Sequence, residues 1–193
     1  MGVPLALFAM VALLYTAWQR RDLTQALVFG LYALTMLGTY LSSTIYHALP
    51  HHLIKRRNRF HLFDHISIYL FIAGTYTPVA LYSLPPLWSA WILSGVWLLA
   101  IAGTLFKLRY LGRYPKVSLV FYLLMGWLVV VAIKPLLETA PTGLLYWILA
   151  GGVAYSIGTV FFSWRSLPYG HAVWHLFVLA GSFCHFMGIY LYL

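Results

Sequence analysis

The sequence predicts an all-α integral membrane protein built as a seven-helix bundle, and three observations carry that expectation. Hydrophobic residues fill 63% of the 193 positions and charged residues only 8%, too few to cover the surface of a water-soluble domain. The apolar residues fall into seven stretches, each close to the roughly 20 residues that cross a bilayer as a helix. Basic residues gather in short clusters between those stretches, as topology signals and headgroup contacts do.

The first span, 3–19, starts at once: Met1-Gly2-Val3-Pro4-Leu5-Ala6-Leu7-Phe8 has neither a basic segment nor a small-residue cleavage site before it, so it reads as a retained helix and not a signal peptide. Arg20-Arg21-Asp22 ends it. The second span, 24–49, stops at Pro50-His51-His52; the third, 61–83, at Pro85-Pro86; and the fourth, 87–106, before Gly112-Arg113-Tyr114-Pro115. The fifth, 117–135, is followed by Pro141-Thr142-Gly143, the sixth, 142–162, by Pro168-Tyr169-Gly170, and the seventh covers 170–193. Turn formers interrupt the apolar pattern at each boundary. Nothing remains for a soluble domain, so 1–193 reads as a single membrane domain, with the plasma (inner) membrane as its expected location.

Alternate loops share a compartment, so the basic residues set the orientation. Lys55, Arg56, Arg57, Arg59, Lys107, Arg109, Arg113, Lys116 and Arg165 fall on one side; Arg20, Arg21 and Lys134 fall on the other. Nine against three places the N-terminus in the cytoplasm and the C-terminus outside. The same placement removes nucleic acid as a reading of the +9 charge, and makes membrane lipids the expected partners.

With that orientation, residues from three helices arrive at one depth near the cytoplasmic face. His171 and His175 stand one helical turn apart at the head of the seventh span, Ser43 and His47 have the same spacing at the end of the second, and Asp64 opens the third. Ionisable groups inside a membrane mark function by default. Three imidazoles from two helices suit Zn²⁺ with a fourth position left open, as in catalytic zinc sites, where bound water becomes acidic enough to act near neutral pH. Of the three acidic residues, Asp22 and Glu138 fall in outer loops, which leaves Asp64 as the proton acceptor, with Ser43 supporting it or the water.

Other residues have plainer readings. Cys184 is the only cysteine, so neither an intrachain disulfide nor a cysteine-based zinc site exists. His51 and His52 sit in a basic loop, while His61 and His65 flank Asp64 as supporting or interfacial groups. His185 lies 14 residues past His171, about 20 Å further along the helix, where it bonds a neighbouring helix or lines a cavity. The tryptophans read as interfacial anchors, and Pro78 as a kink that helps open a cavity.

Ser42-Ser43-Thr44-Ile45-Tyr46-His47, Asp64-His65 with Gly74-Thr75-Tyr76-Thr77-Pro78, and His171-x-x-x-His175 with Phe183-Cys184-His185-Phe186 together resemble the hemolysin III family. That family is the bacterial branch of the progestin and adipoQ receptors, related to adiponectin receptors within a wider superfamily of membrane hydrolases. The resemblance covers nearly the whole chain. It implies seven helices with a cytoplasmic N-terminus, and a zinc held by His47, His171 and His175 beside Asp64 and Ser43. The short polar stretch with which hemolysin III relatives usually begin is not matched at Met1.

The expected function is zinc-dependent hydrolysis of a lipid amide or ester, ceramidase-like, in membrane lipid homeostasis. The rival expectation is a sensor or receptor-like protein in which zinc only joins two helices. A pore-forming cytolysin, suggested by the family's name, sits poorly with so few acids and no continuous polar stripe.

Overall fold

A computed structural model describes residues 2–164 and 166–193, leaving Met1 and the basic Arg165 outside the description. Among the described residues there are helices and turns but no strand. The helices are α1 (Val3–Arg20), α2 (Leu23–Ala48), α3 (Ile54–Ser83), α4 (Pro86–Tyr110), α5 (Pro115–Gly126), α6 (Ile133–Thr139), α7 (Thr142–Ser163) and α8 (Gly170–Tyr192). A 3₁₀ turn, Leu128–Ala132, joins α5 to α6, and the three pieces form one span, so seven segments are long and apolar enough to cross a membrane. The protein is a multi-pass membrane protein.

Local chemistry explains the helix ends. Asp22 caps α2 by accepting the Gln25 N–H at 2.9 Å, while Pro85 and Pro86, Pro115 and Pro141 stand at helix starts, where a missing N–H costs nothing. Tyr169 takes a left-handed conformation (φ 61°) immediately before Gly170, and this turn delivers His171 into the first turn of α8.

Two spans differ from expectation. The third begins at Ile54, not at 61, because Lys55, Arg56, Arg57 and Arg59 are good helix formers with no Gly or Pro among them. The basic segment is therefore two helical turns standing ahead of the span. The fifth span is broken where an unbroken helix was expected, and it extends to Thr139, which brings Lys134 and Glu138 into α6. Pro135 has no N–H to offer Val131 and its ring crowds that carbonyl, while Gly126 and three consecutive valines weaken the helix just before it. Tyr76 repairs the break: its hydroxyl donates to the Gly126 carbonyl and accepts from the Val129 N–H, both at 2.8 Å. Pro78, by contrast, lies within α3 without ending it.

Packing is uneven. α1–α2, α2–α3, α3–α4 and α7–α8 are long seams, whereas the fifth span makes only sparse contacts with α3, α4 and α7. One core cluster joins α1, α2, α3 and α8 around Phe29, Tyr32, Met36 and Phe186; a second joins α3, α4 and the fifth span around Tyr69, Val96 and Met125. Arg20 and Gln25 donate to the Leu193 carbonyl at 2.6 and 2.9 Å, and Thr139 donates to Ser83, which ties the α1–α2 turn to the end of α8 and the end of α3 to the end of α6. The other face of the bundle carries the α2–α3 and α4–α5 connections with their basic residues.

Candidate metal centre and its cavity

His47 at the end of α2 and His171 and His175 at the start of α8 bring their ring nitrogens together at this basic face, with one ligand atom from each lying within 4.8 Å of the others. His171 Nε2 is 3.3 Å from His47 Nε2 and 3.0 Å from His175 Nε2. The three rings are steeply inclined: His47 and His175 meet at 88°, and His171 and His175 at 85°. Their edges thus converge while their faces do not stack.

Hydrogen bonding among the rings cannot account for this convergence. An imidazole nitrogen carries either one hydrogen or one lone pair, so His171 Nε2 can bond one neighbour but not both. A shared cation suits all three at once, because nitrogens about 2.0–2.1 Å from a tetrahedral zinc stand ~3.3 Å apart. Three neutral nitrogen donors, partly open on one side, fit a divalent transition metal, and the group can hold one. The type of metal is not fixed by this geometry, since imidazole also suits iron, nickel and copper.

The cluster opens into a cavity of about 510 Å³ that runs toward the middle of the bundle. Ser43, His61, Asp64 and His65 line it beside the three histidines. Ser43 and Asp64 are half-buried, and the Asp64 carboxylate faces the Ser43 hydroxyl and the His47 ring. All five residues singled out from sequence therefore border one space. Below them the walls are mainly apolar, with Ile72, Val79, Leu136 and Leu149 among them.

The second histidine pair is self-contained. His61 and His65 approach through Nε2 atoms 3.0 Å apart, the Tyr122 hydroxyl donates to the His65 carbonyl at 2.9 Å, and Tyr46 stacks on His61 with 4.9 Å between centroids. Arg57 lies over the Tyr46 ring and bonds His51 at 2.6 Å. Tyr46 and Tyr122 were missed from sequence. With 15 tyrosines in the chain, nothing in their spacing separates these two from packing residues. His185 meets both of its expected readings: it donates from Nε2 to the Ile148 carbonyl at 3.2 Å and also lines the cavity.

Comparison with known proteins adds to this geometry. A family model described as haemolysin-III related matches residues 1–186. Hemolysin-3 of Bacillus cereus is 40% identical over 193 residues, covering 99% of this chain and 86% of the relative. The Hemolysin-3 homolog of Bacillus subtilis (strain 168) is 37% identical over 191 residues, covering 99% and 89% respectively. The monocyte to macrophage differentiation factor of Homo sapiens is 33% identical over 179 residues, covering 89% of this chain and 73% of the relative. No solved structure matches.

Proposed function

The chain belongs to the haemolysin-III related family, and from that premise and the converging imidazoles we propose that it is a zinc-dependent hydrolase of the plasma membrane, cleaving a lipid amide or ester near the cytoplasmic face. The observation that carries the proposal is the position of His171 Nε2, close to two other ring nitrogens that it cannot both serve as a hydrogen-bond partner. When bound, a zinc ion supplies Lewis acidity that polarises a carbonyl and acidifies water.

The chain's own residues supply the rest. Asp64 borders the cavity beside the cluster, where its carboxylate takes a proton from the attacking water and returns it to the departing amine or alcohol. Ser43 borders the same cavity on the α2 face that carries His47, where its hydroxyl supports that carboxylate. The apolar walls below receive the hydrocarbon part of the lipid, and the loosely packed fifth span gives it a way in from the bilayer. The nine-against-three distribution of basic residues supports a cytoplasmic placement of the site.

One observation favours a second reading. α2 and α8 share no long packing seam, yet the three histidines join their ends, so a metal there would clasp the two helices without any turnover. The test is elemental analysis of detergent-purified protein prepared without chelator, comparing wild type, His171→Ala/His175→Ala and Asp64→Ala, followed by assay against lipid amides and esters. About one zinc per chain in wild type, lost in the double variant and kept in Asp64→Ala, with turnover only in wild type, is the expected result. Metal without turnover supports the clasp, and no metal in wild type overturns both readings.

A further inference from the structure

The polar groups deep in the cavity have an unusual common property. Ser182 Oγ stands 2.9 Å from the Val178 carbonyl and 2.8 Å from the hydroxyls of both Tyr40 and Tyr155; with its single hydrogen on the carbonyl, both phenols donate to it. Their hydrogens are used, and each phenol oxygen keeps only acceptor capacity. His185 is in the same condition. A carbonyl can only accept, so the bond to Ile148 fixes the hydrogen on Nε2 and leaves a lone pair on Nδ1.

These groups sit together. The Tyr155 and His185 rings are 5.5 Å apart, and Tyr40, Tyr155 and His185 all line the cavity. Gly151 seats the imidazole: a Cβ there would overlap the Cδ2–Nε2 edge of His185, so that edge lies flat against α7 and the Nδ1 edge is turned away from it. Tyr40 precedes His47 by seven residues, about 10 Å along α2, and His185 follows His175 by ten, about 15 Å along α8. The acceptors therefore stand roughly 10–15 Å below the three-histidine cluster, among apolar walls where an unanswered polar atom is costly.

We propose that this part of the cavity is a recognition subsite for a hydroxyl group on the hydrocarbon portion of a bound lipid, with the Tyr155 oxygen and His185 Nδ1 accepting its hydrogen bond. A purely aliphatic chain leaves the acceptors unanswered. A chain with an internal hydroxyl, held with its polar end at the histidines, answers them. The proposal rests on lipid occupying the cavity, and is independent of whether a metal is bound or any bond is cleaved.

The test compares binding of 12-hydroxystearate and stearate to the purified full chain, by displacement of a fluorescent fatty acid, in wild type and in a Tyr155→Phe/His185→Leu double variant. Wild type is expected to bind the hydroxylated chain about fivefold more tightly, as one added hydrogen bond predicts. The double variant is expected to bind the two alike, because the acceptors that tell them apart are gone. Equal affinities in wild type would mean that water alone answers the acceptors, and a preference that survives the double variant would place the hydroxyl elsewhere; either overturns the subsite. Failure of both fatty acids to bind wild type removes the lipid occupancy that the subsite presupposes, while the metal measurement stands apart. If the double variant binds neither, Tyr155→Phe and His185→Leu are compared singly, and a preference undiminished in both overturns the subsite.

Discussion

Two histidine pairs face one cavity, His171 with His175 and His61 with His65, each one helical turn apart with Nε2 atoms 3.0 Å apart. In sequence they are equivalent. In space they differ by one ring: His47 adds a third nitrogen to the first pair from another helix, whereas the second pair is approached by a tyrosine hydroxyl and an aromatic face. Two imidazoles complete a single N–H···N bond and need nothing more; three around one nitrogen do not. Four-residue spacing thus marks a helix face, and it is the crossing of a second helix that turns a face into a group able to hold a metal.

Removing one ligand should break the contrast most sharply. His47→Ala is expected to reduce bound metal from about one ion per chain to near none, whereas His61→Ala keeps the full complement, both read by elemental mass spectrometry. Next in size is Asp64→Asn, expected to lower lipid hydrolysis by on the order of 10²–10⁴-fold while metal content is unchanged, as loss of a general base predicts. Chelation should lower the thermal midpoint of wild type and leave that of His171→Ala/His175→Ala unmoved, because binding to the folded state alone stabilises it. The smallest effect belongs to the second pair: His61→Phe keeps the stack on Tyr46 but loses one hydrogen bond, about 1 kcal/mol in a denaturation curve, with metal and turnover intact. Metal loss in His61→Phe would erase the distinction between the two pairs.

Seven spans and the site's polar residues could be read from the chain because bilayer thickness and helical periodicity act locally, on residues near one another in sequence. The α3 start could not: Lys55 to Arg59 look like a loop by charge, and only their helix-forming tendency with no breaker shows otherwise. The break in the fifth span had a local signal in Gly126 and Pro135, but its repair by Tyr76 depends on a helix 50 residues away. The same holds for Tyr122 on His65 and for both tyrosines on Ser182, which are pairings between helices that periodicity does not encode. His47 could be linked with His171 from sequence only because the charge count placed both at one depth.

Tyr76 carries a further consequence. A membrane helix ordinarily keeps its backbone polarity to itself, each turn serving the one before, and can be cut from its neighbours without leaving groups bare in oil. Here two backbone groups of one span are answered by a phenol borrowed from another. The fifth span cannot leave α3 at that height without stranding them in hydrocarbon, at about 1–3 kcal/mol each. It stands as two short rods pinned at one oxygen atom, the second of them held to α3 again at its far end, where Thr139 donates to Ser83.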